Sequence, residues 1–281
     1  YVCQDAEGKA DINIDLSWIP SGEGTEDAGD RFRWKIEKLG DGEAAGWDST
    51  EGDFSENPIT VTWTDSGEEN PDREFQIRAW GDCNANEEYD EDEELGRLLH
   101  VTVGKLESLT VSDKENPDNS ITANDENPEP EEILYVCEDS EGNAKIKLEA
   151  EFEPDDIGQH ILWKILGDNA NPSQGNFSGT SAEVTLTPSG WLWVDRTFEV
   201  QAGFDENMDG SLGDSEIKYT IQVVVIDLRS AVVSDFNNKK NKVTVTETSP
   251  EANLYICEPE EGNPAITIVA NFSPNGAGEH I

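Results

Sequence analysis

The stretch from Asp205 to Glu216 has residue types and a spacing that suit the binding of a hard metal ion. It reads Asp-Glu-Asn-Met-Asp-Gly-Ser-Leu-Gly-Asp-Ser-Glu, which satisfies every fixed position of the calcium-loop pattern D-x-[DN]-x-[DN]-G-x5-E. Magnesium fits this pattern less well, because it rarely takes a cage made only of protein ligands. We therefore predict Ca2+ as the cofactor. The alternative is an acidic turn in an acidic protein that matches the pattern by chance.

This stretch resembles the calcium loop of EF-hand proteins. The resemblance implies a turn at Gly210 and oxygen ligands from the side chains of Asp205, Asn207 and Asp209, the carbonyl of Ser211 and the bidentate carboxylate of Glu216. The flanking segments, 198–202 and 217–225, alternate apolar and polar residues as strands do. We therefore expect an EF-hand-like loop that closes a β-hairpin rather than one that joins two helices.

A second segment, from Gly81 to Glu94, repeats part of this spacing, which weakens the chance interpretation. The corresponding residues are Asp82, Asn84, Asn86 and Asp90, followed by Glu93 or Glu94. Glu87 stands where the pattern has glycine, and the segment counted to Glu94 is one residue longer than the pattern. Both glutamates remain candidate ligands for this reason.

The charge balance of the chain excludes several classes of partner. With 62 acidic and 19 basic side chains among 281 residues, the formal net charge is -43. Such a chain repels nucleic acid and anionic membrane surfaces, so cations are its natural partners. The acidity fits either calcium sites or a saline habitat. No apolar run approaches 18 residues and no leader opens the chain, so we expect no membrane insertion and a mature or excised part of a longer protein.

A short motif divides the chain into repeats of domain size. Tyr-Val-Cys at residues 1–3 recurs at residues 135–137 and as Tyr-Ile-Cys at residues 255–257, each time followed by Glu-Gly. An alternating strand comes next, with the apolar sets 12–18, 146–152 and 266–272 each on one buried face. Pro20, Pro154 and Pro274 then end these strands.

Short strands separated by Gly, Pro, Asn and Asp turns continue along the chain, at residues 59–63, 75–80, 182–186 and 198–204. This spacing predicts an all-β fold of tandem immunoglobulin-like β-sandwich domains. The junctions lie near Leu106 and Leu228, with opening strands at 107–113 and 229–235. The predicted domains are 1–105 without its opening strand, 106–227 complete, and 228–281 as a first half.

Tandem sandwiches with a tryptophan in a middle strand, here Trp34 and Trp163, resemble the immunoglobulin-like repeats of prokaryotic surface fibres and adhesins. Cys3 and Cys83 form a candidate disulfide in the first repeat, the alternative being small buried thiols, while Cys137 has no evident partner. Asn176 and Asn271 fit the glycan acceptor pattern, although Pro274 follows the second.

The remaining chemistry-bearing residues favour a structural protein over an enzyme. No phosphate loop, nucleophile elbow or zinc spacing occurs, and the three histidines fit structural or surface roles. Trp191 and Trp193 are the better candidates for a sugar platform among the tryptophans, but core packing remains the preferred interpretation.

We therefore expect a structural subunit of an extracellular, calcium-stabilised filament or surface stalk, assembled head-to-tail from copies of itself. The alternative is an adhesin or carbohydrate-binding module that presents its loops to a ligand.

Overall fold

The computed structural model describes residues 1–5, 8–17, 31–39, 44–65, 73–82, 87–89, 96–189, 196–246, 249, 251–255 and 265–273. These residues confirm an all-β fold with several sheets, as expected from a sandwich. The helical elements described are two short 3-10 helices, at Asp155–His160 and Asp214–Glu216. The finer prediction of tandem immunoglobulin-like domains stays a prediction.

Eighteen strands are described, and most are short segments between turns rich in Gly, Pro, Asn and Asp. In chain order they are β1 Val2–Cys3, β2 Lys9–Ile14, β3 Phe32–Lys38, β4 Glu51–Asp53, β5 Ile59–Thr64, β6 Glu74–Gly81, β7 Gly96–Asp113, β8 Ser120–Asn124, β9 Ile133–Cys137, β10 Ala144–Glu153, β11 Ile161–Leu166, β12 Ala170–Asn171, β13 Gln174–Asn176, β14 Ser181–Leu186, β15 Thr197–Phe204, β16 Ile217–Asp235, β17 Lys242–Thr246 and β18 Ile266–Ser273.

The chain divides into two compact units. Unit 1 comprises residues 1–105 and 152–157, and unit 2 comprises residues 106–151 and 158–281. Residues 228–281 belong to unit 2 in this division, so the predicted third domain and its boundaries stay a prediction. Strand β7 contributes residues to both units.

Unit 1 has two sheets that share one hydrophobic core. The first half of β7 pairs with β6, β6 with β3 and β3 with β4, all antiparallel, while β1 pairs in parallel with β7. Strands β2 and β5 form the other sheet. Alternation places one face of each strand inside, and the buried cluster that they share is Ala10, Ile12, Trp34, Ile36, Phe54, Val61, Trp63, Phe75, Ile77, Val101 and Val103.

Unit 2 repeats this arrangement with more strands. In one sheet β12, β14, β10 and β7 lie in that order, and β8 pairs with the second half of β7. In the other sheet β13, β11, β15 and β16 lie in order, and β9 pairs in parallel with β16. The last part of β16 also pairs with β17 and β18. Strand β10 ends at Glu153, directly before Pro154, as predicted.

The predicted opening strands are not separate elements. Segments 107–113 and 229–235 form the second halves of β7 and β16, each of which continues from the preceding strand. In β16 the apolar run from Val223 to Ile226 is buried on both faces, with exposures of 0–3%. No glycine or proline interrupts β16, so the chain continues in extended conformation where the sequence analysis expected a junction.

The predicted burial of the third alternating strand is wrong at three of its four positions, since only Phe272 packs against a buried cluster, that of Val224 and Ile226. Ile266 and Ile268 of β18 are 49% and 63% exposed, and Ala270 is also exposed. The alternation does form a strand, paired with β16. Within the described residues, however, no second sheet covers this apolar face, and a strand pattern alone does not supply the layer that buries it.

An arginine at equivalent positions of the two units is buried against the residue that directly follows the Tyr-Val-Cys motif. Arg196 is 4% exposed, and its Nη1 donates to Glu138 at 2.8 Å and to the Val225 carbonyl at 3.3 Å. In unit 1, Arg73 is 6% exposed and donates to Gln4 at 2.8 Å.

The carboxylate partners of the two arginines differ. Arg73 pairs with Asp65 at 3.1 Å and Glu153 at 3.2 Å, whereas Arg196 pairs with Glu138 itself. Burial raises the pKa of Glu138, and the hydrogen bond and charge of Arg196 oppose this rise. The guanidinium therefore offsets part of the cost of burying this carboxylate, and it links the segment after β9 to the backbone of β16.

Each core tryptophan of the middle strands faces a glycine on the neighbouring strand. Trp34 and Trp163 are each 3% exposed, which confirms their predicted place in the core. Trp163 lies opposite Gly175 in the register of β11 and β13, as Trp34 lies opposite Gly52. A Cβ atom at Gly175 would come within 2.7 Å of Trp163 Cζ2, so the indole needs the bare backbone.

Replacing Gly175 with alanine is expected to destabilise unit 2 by about 1–3 kcal/mol, because the added methyl overpacks the tryptophan ring. Gly179→Ala is the matched control, since a Cβ there meets no atom within 4 Å. Urea unfolding measures both variants, and equal midpoints for the two would contradict the close-packing argument.

Arg196→Met is expected to cost about 3 kcal/mol, because it removes the guanidinium that is hydrogen-bonded to the Glu138 carboxylate. Its loss lets the pKa of Glu138 rise further, so the folded state favours the protonated acid more strongly. The variant should therefore gain stability relative to wild type as pH falls from 7 towards 4. The double variant Arg196→Met, Glu138→Met should recover most of the lost stability and lose this pH dependence. Thermal unfolding of the two single variants and the double variant across that pH range tests both statements. If the losses of Arg196→Met and Glu138→Met simply add in the double variant, the proposed coupling is refuted.

Candidate metal centre

The loop from Asp205 to Glu216 connects β15 and β16, which are antiparallel neighbours with Gly203 opposite Ile217. It therefore closes a β-hairpin, as the alternation of its flanks predicted. Its two end residues are buried, Asp205 with 5% exposure and Glu216 with 7%. Between them Asn207, Asp209 and Ser211 are exposed. The loop thus places two carboxylates inside the protein at its base and further oxygen-bearing side chains above them.

Backbone amides of the loop donate to the Asp205 carboxylate. Asp209 N lies 3.0 Å from Oδ1, and Gly210 N lies 3.0 Å from Oδ2. Gly210 has a φ of +77°, in the left-handed region that glycine adopts without strain. The glycine required by the calcium-loop pattern is therefore where the chain turns sharply back towards Asp205.

The Glu216 carboxylate accepts amide hydrogen bonds at both oxygens. Glu206 N and Asn207 N lie 3.1 Å and 3.3 Å from Oε1, and Gly213 N lies 2.6 Å from Oε2. These bonds hold the last loop residue against the first turn of the loop. They also offset part of the cost of burying a carboxylate.

The exposed residues of the loop form two successive side-chain turns. Asn207 Oδ1 accepts from Asp209 N at 2.8 Å, and Asp209 Oδ1 accepts from Ser211 N at 2.8 Å. A basic side chain lies nearby, but Lys164 Nζ donates to the Leu212 carbonyl at 3.0 Å and pairs with Asp214 at 3.5 Å. In the described part of the chain, Asp205 and Glu216 form no ion pair with a basic side chain.

The donor set of this loop fits Ca2+ in kind, since it offers carboxylate, amide and carbonyl oxygens. In the part of the chain that is described, however, no three His, Cys, Asp or Glu side chains form a group able to hold a metal ion. This statement concerns those four residue types alone. The predicted ligand set also contains the amide oxygen of Asn207 and the carbonyl of Ser211. The loop ends are in place, and binding would require their carboxylates to turn from amides towards the ion.

The first candidate loop begins in the same way but carries a cation of its own. Asp82 is 3% exposed, and its Oδ2 accepts from Glu87 N at 3.1 Å. Glu87 has a φ of +66°, so it adopts the left-handed conformation of the glycine that it replaces. Arg33 lies 3.7 Å from Asp82 and 2.9 Å from the Glu87 carboxylate. The predicted ligands Asn84, Asn86, Asp90, Glu93 and Glu94 lie outside the described residues.

Arg33 is a site residue that the sequence analysis missed. It directly precedes Trp34, whereas Leu162 precedes the equivalent Trp163. Comparing the two repeats at this position would have revealed a charge facing the first loop alone. Because a guanidinium already compensates Asp82, the first loop needs a metal ion less than the second does.

The disulfide prediction cannot be followed on both cysteines, since Cys83 lies outside the described residues; it stays a prediction. Cys3 is half-buried, and its Sγ lies 3.3 Å from the Gln4 carbonyl. Cys137 is an exposed free thiol.

The two glycan acceptor residues are both exposed on strands. Asn176 Oδ1 accepts from Ser178 N at 3.2 Å, and Asn271 Nδ2 donates to Ser230 at 2.8 Å. The hydrogen bond of Asn271 engages the nitrogen to which a glycan would be attached.

His160 stacks on Phe204 with ring centroids 6.3 Å apart. Trp191 and Trp193, the sugar-platform candidates, lie outside the described residues, as do Trp18 and His280. Among the described residues no helix is long and apolar enough to cross a membrane.

Comparison of the chain with models of known protein families found no match, and comparison with curated proteins found none of significance. The interpretation of the two loops therefore depends on their own residues.

Ca2+ is expected to raise the melting temperature of unit 2 by about 5 °C at a concentration near 100 times its Kd, through linkage to the folded state. Glu216→Gln should abolish most of this rise, because the bidentate carboxylate is lost. Glu206→Gln is the matched control, since Glu206 lies in the same loop but is exposed and is not a predicted ligand. Melting curves recorded in Ca2+ and in chelator test this prediction. Identical curves for the wild type in the two conditions would show that the loop does not bind Ca2+.

Proposed function

We propose that this chain is a structural, non-enzymatic subunit of an extracellular filament or surface stalk, built from tandem immunoglobulin-like repeats and stiffened by Ca2+. The observation that carries the proposal is the recurrence of one set of strand pairings. Strand β1 pairs in parallel with β7, as β9 does with β16. The antiparallel series β3, β6, β7 recurs as β11, β15, β16.

The start of a further repeat supports the same proposal. Strand β7 pairs with β8 and β10, and β16 pairs in the same way with β17 and β18. The turns agree in detail, because Asn119 donates to the Tyr135 carbonyl and Asn241 to the Tyr255 carbonyl, both at 2.8 Å. Modules that recur along a chain add length while each contacts mainly its neighbours, which suits a stalk or fibre.

The chemistry of the second loop supports an extracellular role for calcium. Its predicted ligand set contains three carboxylates, those of Asp205, Asp209 and Glu216. Calcium loops of extracellular modules bind with Kd values of about 0.1–1 mM, which suits a medium rich in Ca2+. A bound ion would fix the hairpin between β15 and β16, so the module would bend less at that end.

The proposed partners are further copies of the chain, arranged head-to-tail. Contacts between different surfaces of identical subunits propagate into filaments instead of closing into dimers. A net charge of -43 per chain opposes such contacts, so cations should promote them by neutralisation and screening.

Electron microscopy of the native assembly, or of the purified chain at millimolar Ca2+, is expected to show end-to-end filaments that shorten or disperse in chelator. Glu216→Gln should form fewer and more flexible filaments than the Glu206→Gln control at the same ionic strength. Discrete monomers or closed dimers at high Ca2+, with no end-to-end contact, would defeat the proposal.

A further inference from the structure

Unit 2 has a polar cleft on the outer face of the β15–β16 pair, with a volume of about 460 Å3. Alternation along β15 buries Phe198 and Val200 in the core and places Glu199 and Gln201 on the opposite face. The polar residues that line the cleft are Glu129, Glu199, Gln201, Asp214, Thr220 and Gln222.

Gln201 has an unsatisfied acceptor at this cleft. The residue is only 7% exposed, and its Oε1 has no hydrogen-bond partner among the described residues. Its Nε2 donates to the Glu199 carboxylate, so the amide nitrogen points to Glu199 and Oε1 points away from it. A buried carbonyl oxygen without a donor is unfavourable, and an N–H group of a ligand would satisfy it once a side-chain movement opens this oxygen to the cleft.

The charge of the cleft selects a cationic ligand. Glu129, Glu199 and Asp214 contribute carboxylates, and the described lining contains no basic residue. Asp214 already pairs with Lys164 at 3.5 Å, which leaves the two glutamates facing the cleft as the stronger attraction. No three acidic side chains of the described residues converge as a metal ion requires, and the volume far exceeds that of one ion. An alkylammonium group meets both the charge and the hydrogen-bonding need.

A source of such groups lies on the turn between β16 and β17. Lys239 and Lys240 are exposed there, and Lys242 follows at the start of β17. Three of the 19 basic residues of the chain thus fall within four positions, and no acidic residue occurs from 236 to 246. In a chain with a net charge of -43, this turn is complementary to the acidic cleft.

We propose that the cleft lined by Glu129, Glu199 and Gln201 receives a lysine ammonium group from the 235–242 turn of a second copy of this chain. The ammonium pairs with the glutamate carboxylates, and a side-chain movement on binding lets it donate to Gln201 Oε1. This inference rests on the proposed self-assembly, for which it names one contact.

Carbodiimide cross-linking of a mixture of 14N- and 15N-labelled chains tests the contact directly. The reagent joins a lysine amine to an adjacent carboxylate, and pairs of mixed isotope composition report only contacts between copies. Mass spectrometry is expected to find Lys239 or Lys240 joined to Glu199 or Glu129 in mixed pairs. Mixed pairs that never include these residues, or no mixed pairs at all, would overturn the inference.

Variants in the cleft and in the lysine-bearing turn test the contact further. Gln201→Leu, and separately the double variant Lys239→Gln, Lys240→Gln, should weaken association between copies about tenfold. Lys9→Gln, Lys145→Gln removes the same charge from two exposed lysines elsewhere and should leave association unchanged. Glu199→Lys should associate with Lys239→Glu, Lys240→Glu better than either variant does with the wild type.

The lysine contact and the proposed filament can be rejected independently of each other. Wild-type filaments that Gln201→Leu and the lysine variants leave intact would reject the contact and retain the proposed function. Mixed cross-links at the named residues without filaments in micrographs would support the contact and reject the filament.

Discussion

Compensation of buried charge is the constraint on which the rest of this structure depends. The chain carries 62 acidic residues and has only 35% apolar residues, and four of its described carboxylates are nevertheless buried. Where Asp82, Asp113, Asp205 and Glu216 are buried, backbone amides donate to each of their carboxylates. An uncompensated carboxylate in such places would cost several kcal/mol. The conformations of these turns therefore depend on hydrogen bonds to the buried acids as well as on the packing of the apolar core.

The buried arginines apply the same principle to the joints between strands. Arg73 and Arg196 each tie the segment after a Tyr-Val-Cys motif to the strand that begins at the next residue after the arginine. Phe75 and Phe198 are the first core residues of these strands. The geometry is shared while the acidic partner is not, since unit 1 uses Asp65 and unit 2 uses Glu138. What recurs is the buried guanidinium, and the carboxylate can come from whichever neighbouring segment supplies it.

Local patterns predicted the strands well, because alternation and turn residues act within a few positions of the chain. Segment 59–63, for example, falls within β5, and the hairpin around the second loop followed from its flanks. The exposure of Ile268 could not be predicted, since burial depends on a second layer that no pattern within the strand specifies. The same limit applies to Gln201 and Arg33, whose roles depend on neighbours across a sheet or in a distant loop.

The two candidate loops show how one electrostatic problem can have two solutions. Both begin with a buried aspartate that accepts an amide from a residue with positive φ, Glu87 in the first loop and Gly210 in the second. The first loop places Arg33 beside its aspartate, whereas Asp205 itself forms no ion pair with a basic side chain among the described residues. A guanidinium neutralises the buried aspartate at every Ca2+ concentration, but a metal ion would neutralise it only when Ca2+ is present. Calcium sensitivity should therefore reside in unit 2, and a stalk of such modules would combine permanently neutralised loops with loops that stiffen in response to the medium.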